Sequence, residues 1–141
     1  MSKKTLAIVK PDAVINGHSG AILDLIIKAG FKIKGMKMIH LTKSSAEGFY
    51  VVHKKRPFFG ELVEYMTSGP CIPIALEKEN AVDDYRKLIG ATDPAKADEG
   101  TIRKLFAKDI QSNAVHGSDS DENAEKEIAH FFSSDELLNN Y

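Results

Sequence analysis

The chain has 141 residues, of which 43% are hydrophobic and 28% are charged, and its formal net charge is −1. This length and apolar content predict one globular domain, residues 1–141, and exclude a disordered chain. The balanced charge argues against a general nucleic-acid coat, which carries a strong basic excess, but it allows a local anion site.

The number of cysteines and the lengths of the apolar runs indicate where in the cell the protein is expected. Cys71 is the only cysteine in the sequence, so it cannot form an internal disulfide, which favours a reducing compartment. No stretch approaches the roughly 20 apolar residues of a membrane span, and the run at 6–9 is shorter than the roughly 7–15 of a secretory signal. We therefore expect a cytoplasmic protein with no membrane partner.

The first third of the chain alternates between strand and helix patterns. The apolar run at 5–10 predicts a buried strand that stops at Pro11, which cannot donate to a ladder. Apolar residues recur at helical spacing over 21–29, and alternation over 31–41 predicts a second strand with Gly35 as a candidate bulge. These patterns predict a strand–helix–strand unit.

The middle of the chain carries helices on either side of a third strand. Serines 44 and 45 are candidate caps for a helix over 44–54, and a further helix begins at Pro57. The run at 71–77 predicts a strand, and Pro73 inside it indicates pairing on one side only at that point. Residues 81–89 predict a short helix that Gly90 ends.

The last third has one segment with little periodicity and then a final strand and helix. Residues 91–110 show no more than a turn or two near 101–107, whereas 113–117 predict a fourth strand and 118–132 an acidic-capped helix. The order favours an α+β fold in which helices cover one face of a four-stranded, mostly antiparallel sheet. The ferredoxin-like split βαβ sandwich fits this order best.

Several common site motifs are absent. The sequence holds no GxxxxGK[ST] loop, no GxGxxG turn, no CxxC pair and no HExxH helix. P-loop, dinucleotide-binding and zinc-enzyme interpretations therefore lose their main support.

His116 is the first candidate for chemistry. It follows two apolar residues and lies where the predicted fourth strand meets a helix N-terminus, a position in which an imidazole can sit at the base of a cleft near backbone N–H groups. Glu127 can turn back from the next helix and bond one ring nitrogen, which leaves the other as a nucleophile, and Ser118 can support it. Alternatively, His116 simply ends a strand.

Three cations stand in settings that suit an anion. Lys10 ends an apolar strand, Arg86 interrupts a short helix, and Arg103 lies at a helix start, where positive charge opposes the helix dipole unless an anion is present. Surface salt bridges are the alternative for each. Of Phe58 and Phe59, one ring can lie exposed for base stacking and the other buried, although such pairs are more often core.

Motifs along nearly the whole chain resemble those of nucleoside diphosphate kinases. They occur in the family's order: KPDAV, KRPFF, SGP, ENAV, GATDP, GTIR and NAVHGSDS. The resemblance implies a ping-pong phosphotransferase that carries the γ-phosphate of a nucleoside triphosphate on a histidine and passes it to a nucleoside diphosphate. His116 would be that histidine, oriented by Ser118 and Glu127.

The resemblance also implies a set of nucleotide contacts. Phe58 would stack on the base, Asn113 would contact the sugar, and Lys10, with Tyr50 nearby, would reach the 3′-hydroxyl and phosphates. The phosphates would be bound by Arg86, Thr92 and Arg103.

Mg²⁺ is expected to arrive on those phosphates, because it keeps its waters and uses few protein ligands. No residue of the chain is assigned to the metal itself, and Asp119 would touch one of its waters. The family forms tetramers or hexamers built from dimers, so we expect a homo-oligomer, and residues 90–110 resemble the loop that lines it.

Small departures and two alternative functions remain open at this point. Lys78 stands where the family often has glycine, and Tyr85 is bulkier than expected, both near the expected edge of the site. A nucleic-acid or regulatory module with the same sheet is one alternative, but no strand carries the aromatic pattern of RNA-binding domains. An inactive relative is the other, although His116, Arg86 and Arg103 are all present.

Overall fold

A computed structural model describes residues 3–138, and within them four strands form one sheet. The strands are β1 (Lys4–Val9), β2 (Lys32–Met36), β3 (Ile72–Glu77) and β4 (Val115–Gly117). Their order is β2-β3-β1-β4, and each neighbouring pair is antiparallel. The ferredoxin-like split βαβ sandwich predicted from the sequence is therefore confirmed.

Seven α-helices accompany the sheet in residues 3–138. They are α1 (Pro11–Ile15), α2 (Ser19–Lys28), α3 (Lys43–Phe49), α4 (Phe59–Met66), α5 (Ala81–Ile89), α6 (Ile102–Phe106) and α7 (Asp121–Phe131). Short 3-10 helices cover Val51–His53, Pro94–Lys96 and Ser134–Glu136. In this part of the chain no helix is long and apolar enough to cross a bilayer.

Helices pack on both faces of the sheet, so the prediction that they cover one face was wrong. Ala7 and Val9 of β1 face a core that includes α2 and α5. Leu6 and Ile8, on the other face, pack in a core with α3, α4 and α7. The uninterrupted apolar run of β1 was the sequence signal, because a strand buried on both faces loses polar alternation.

β2 is shorter than predicted and contains the expected irregularity. Its pairing with β3 shifts register between Ile33 and Gly35, which confirms the bulge. Beyond Met36 the Lys37 N–H donates to the Pro73 carbonyl at 3.3 Å, and an isolated bridge joins Ile39 to Cys71. A Cβ on Gly35 would lie 3.1 Å from Leu137, so the C-terminal segment packs closely on this bulge.

The helix predicted over 44–54 differs from the structure at both of its ends. Thr42, not Ser44 or Ser45, caps α3, since its side-chain oxygen accepts a hydrogen bond from the Ser45 N–H at 3.1 Å. The helix predicted over 44–54 also divides after Phe49 into a separate 3-10 turn. The helix α1, which begins directly at Pro11, was not predicted.

Pro73 lies in a central strand, β3, yet its pairing follows the predicted restriction. It pairs with Ile8 of β1, whereas the ladder with β2 ends at the neighbouring pair Met36–Ile74. A residue without an N–H is tolerated where one ladder has already ended.

The close packing of β4 on α5 requires a glycine. A Cβ on Gly117 would lie 2.9 Å from two ring carbons of Tyr85, which is fully buried. Such an approach forces the ring or the strand to move.

We expect Gly117→Ala to lower the free energy of unfolding by about 1–3 kcal/mol, because neither β4 nor the buried ring has room to shift. Thermal unfolding of the variant and the unaltered protein measures this. Gly20→Ala is the matched control: Gly20 lies in α2 with open space around it, and alanine there is neutral or stabilising by up to about 1 kcal/mol. Equal melting of the two variants would contradict the packing argument.

Candidate active site

His116 lies in β4, opposite Ile8 of β1, at the base of a cleft of about 810 Å³. Its Nε2 hydrogen-bonds Glu127 Oε1 at 2.8 Å, and about a fifth of each side chain is exposed. An ionised carboxylate can only accept this bond, so in the neutral ring Nε2 carries the proton and Nδ1 has the free lone pair. The ring nitrogen available for chemistry is therefore Nδ1.

A second donor fixes the Glu127 carboxylate. The Ser118 hydroxyl donates to the same oxygen, Oε1, at 2.7 Å and accepts a hydrogen bond from the Leu6 N–H at 3.1 Å. Ser118 is fully buried, so the central strand β1 anchors the serine, the serine anchors Glu127, and Glu127 orients His116. The predicted arrangement of these three side chains is present.

Phe49 forms a wall of the cleft beside the imidazole. Its ring centroid lies 5.4 Å from that of His116, at an interplanar angle of 73°. Edge-to-face contact of this kind restrains ring rotation. Phe49 was not predicted as a site residue, because nothing in the sequence pattern distinguished it from a core residue at a helix end.

Lys10 is buried at the end of β1 and bonded to Asn113. Its Nζ donates to Asn113 Oδ1 at 2.8 Å, and the Asn113 amide donates to the Thr92 carbonyl at 3.3 Å. Burial, followed by the charge of Arg103, lowers the pKa of Lys10 to about 8, against a smaller opposing effect of Asp12. A cation held this way favours an incoming anion.

Arg103 is buried and held by backbone carbonyls. Its Nη1 donates to Gly90 O at 3.1 Å and its Nη2 to Val115 O at 2.9 Å. Burial lowers its pKa, and the nearby Arg86 acts in the same direction. No carboxylate within residues 3–138 pairs with Lys10, Arg86 or Arg103, so the salt-bridge alternative fails there.

Phe58 and Tyr50 occupy different depths of the cleft. Phe58 is 46% exposed at the mouth, with its ring 5.5 Å from that of His53. Phe59 is only partly buried, against a core, so the predicted contrast between an exposed ring and a buried ring is present in part. Tyr50 is buried, its hydroxyl has no partner in the described part of the chain, and burial raises the pKa of its phenol.

The cleft brings together all but one of the residues that were assigned a role in catalysis or in binding the nucleotide and its metal. Those that line it are Lys10, Tyr50, Phe58, Arg86, Thr92, Arg103, Asn113, His116, Asp119 and Glu127. Ser118 is the exception, because it is fully buried and does not line the cleft. Two expectations need correction: Lys78 pairs with Asp84 away from the cleft, and Tyr85 is core behind β4, not at the edge of the site.

A histidine with one free ring nitrogen, facing buried cations without carboxylate partners, points to the class of phosphate-handling proteins on a ferredoxin-like sheet. A family model, "Nucleoside diphosphate kinase", matches residues 3–137. The chain belongs to the nucleoside diphosphate kinase family, as the sequence motifs predicted.

Relatives and solved structures agree with this assignment. The nucleoside diphosphate kinase of Chlorobaculum tepidum is 59% identical to this chain, and the match covers 96% of this chain and 97% of that protein. The Chloroherpeton thalassium enzyme is also 59% identical, and the match covers 98% of each. The Aquifex aeolicus enzyme superposes with a TM-score of 0.94 at 47% identity, covering 96% of this chain and 99% of that one. A Halobacterium salinarum nucleoside diphosphate kinase in complex with CDP also superposes with a TM-score of 0.94, at 38% identity, and covers 99% of this chain and 93% of that one.

We expect Ser118→Ala to destabilise the fold by about 1–3 kcal/mol, because the buried Leu6 N–H loses its acceptor. It should also slow any reaction of His116, since Glu127 loses one of two restraints. Chemical unfolding measures the first effect. Ser44→Ala, an exposed position in α3, is the control and should change stability by less than about 0.5 kcal/mol. Equal stability of the two variants would contradict the anchoring role.

Proposed function

We propose that this chain transfers the γ-phosphate of a nucleoside triphosphate, typically ATP, to a nucleoside diphosphate through a phosphohistidine on His116. The observation that carries the proposal is the 2.8 Å bond between His116 Nε2 and Glu127. This bond fixes the tautomer and leaves Nδ1 as the nucleophile at the base of the cleft.

The nucleotide would lie with its base at the mouth and its phosphates inside. The exposed ring of Phe58 supports base stacking, which is worth about 1–3 kcal/mol per base. Deeper in the cleft, Arg86, Thr92 and Arg103 would bind the phosphates, while Asn113 and Lys10, with Tyr50 beside them, would meet the sugar and phosphate region. Family membership and the shared cleft support these roles.

The proposed reaction has two halves with His116 as the common intermediate. In the first, the Nδ1 lone pair attacks the γ-phosphorus, an N–P bond forms, and the bond to the bridging oxygen breaks as the diphosphate leaves. In the second, a terminal oxygen of the acceptor diphosphate attacks the same phosphorus and the N–P bond breaks. Glu127 stabilises the positive charge that the ring gains in between, while Arg86 and Arg103 stabilise charge on the transferred group.

Mg²⁺ would enter on the nucleotide phosphates and neutralise part of their charge. The cleft residues fit this arrangement better than a protein-held metal. Glu127 is engaged by two donors, whereas the Asp119 carboxylate lines the cleft and accepts a hydrogen bond only from Asn123, at 2.7 Å, within residues 3–138. The Asp119 carboxylate would accept a hydrogen bond from a water of the metal.

Three broader expectations belong to the same proposal. The match over residues 3–137 supports one kinase domain spanning the chain. Family membership supports a homo-oligomer, a tetramer or hexamer built from dimers, which sedimentation velocity would distinguish. A cytoplasmic location rests on the single buried thiol, Cys71.

Labelling tests the mechanism directly. With γ-labelled ATP and Mg²⁺, we expect label on the protein that is acid-labile and base-stable, and that GDP removes as labelled GTP. His116→Ala should carry no label. An unlabelled wild type would overturn the kinase proposal; salt-sensitive binding of single-stranded nucleic acid would then favour the binding-module alternative.

The pKa of Lys10, about 8 in the free protein, predicts how binding depends on pH. Bound phosphates favour the ammonium form, so nucleoside diphosphate affinity should fall as the pH rises through 8, and binding near about pH 9 should take up about one proton. Calorimetry in buffers of different ionisation enthalpy measures this uptake. Lys10→Arg, which stays charged, should lose it; persistent uptake in that variant would assign the proton elsewhere.

A further inference from the structure

A strained turn immediately precedes His116. The Val115 N–H donates back to the Asn113 carbonyl at 2.8 Å, and the central residue, Ala114, has φ of +73°. These are the marks of the γ-turn with positive φ, a rare conformation that costs energy for any residue with a Cβ. Something outside the turn must therefore hold it.

Both backbone groups of Ala114 are held by one short segment. The Ala114 carbonyl accepts from the Lys10 N–H at 2.9 Å, and its N–H donates to Asp12 Oδ2 at 3.2 Å. The other oxygen of Asp12 accepts from the Tyr65 hydroxyl, and the Asp12 N–H donates to that hydroxyl at 3.2 Å. Tyr65 thus orients the carboxylate toward the turn.

The residues of this turn also contact or adjoin three groups of the cleft. Its first residue, Asn113, bonds the Lys10 ammonium; its third, Val115, accepts from Arg103; and the residue after it is His116. A relaxed turn would move all three cleft groups relative to one another. Displacements of about 1 Å at a reacting centre can cost a factor of about 100 in rate.

We propose that Asp12, oriented by Tyr65, is a positioning residue for phosphoryl transfer: it holds Ala114 in the strained turn and thereby places His116. This inference rests on the function proposed above. Neither Asp12 nor Tyr65 lines the cleft, so both act through the backbone of the turn.

Glycine at position 114 separates this role from others. Glycine adopts positive φ without the Cβ penalty, so it reduces the need for an external restraint. We expect Asp12→Ala to slow labelling of His116 at saturating ATP by about tenfold to 100-fold, and Ala114→Gly in the same chain to recover most of the loss. Ala114→Gly alone should remain close to wild type.

Additional variants separate a loss of positioning from a loss of charge or of folding. Asp12→Asn keeps an acceptor for the Ala114 N–H and a donor to Tyr65 without the charge, so it should label nearly as fast as wild type. Asp83→Ala removes an exposed carboxylate from the first turn of α5 and controls for helix-dipole effects; it should have no effect. If Asp12→Ala does not fold, Tyr65→Phe with and without Ala114→Gly gives the same comparison with a smaller loss.

The outcomes separate the two proposals. A wild type that takes no label defeats the kinase mechanism itself. If the wild type is labelled and Asp12→Ala is labelled equally fast, the positioning role is overturned. The role is also overturned if Asp12→Ala is slow, Ala114→Gly does not restore the rate, and Asp12→Asn is as slow as Asp12→Ala. In the latter case Asp12 acts through its charge on Lys10.

Discussion

The pairing of β1 with β4 is the constraint on which the rest of the site depends. It sets Ile8 opposite His116 and brings the end of β1, with Lys10, beside the turn before the histidine. Because β1 is also paired along its whole length with β3 and buried on both faces, its position is fixed by the core. The geometry of the site is therefore set by a strand that is paired on both edges and buried on both faces.

Local pattern predicted much of the fold and drew attention to several cleft residues, whereas Tyr50, Thr92 and Asn113 were expected only from the resemblance of the motifs. The strand that contains His116 and the helix that carries Glu127 follow from the sequence pattern, so their contact could be anticipated. The layering was missed, although the uninterrupted apolar run of β1 is typical of a strand that is covered on both faces. The restraint of Ala114 by Asp12 joins residues 102 positions apart, and only the folded chain brings them together.

The buried cations illustrate a balance between stability and function. Lys10 and Arg103 are both largely removed from water, and within residues 3–138 neither meets a carboxylate at ion-pair distance. Holding such charges costs stability, which the two cores supply. Arg103 also shows why lysine is no substitute: its fork reaches two carbonyls, Gly90 O and Val115 O, on separate segments.

In the proposed mechanism, the exposed ring of Phe58 has a consequence for the range of nucleotides that react. An aromatic face stacks on every base and discriminates weakly among them. With the proposed reversible transfer through His116, donor and acceptor nucleotides of different bases would share one phosphorylated intermediate. The ratios of triphosphate to diphosphate for all bases then move toward a common value, so whichever nucleotide the cell recharges most strongly sets the energy level of the others.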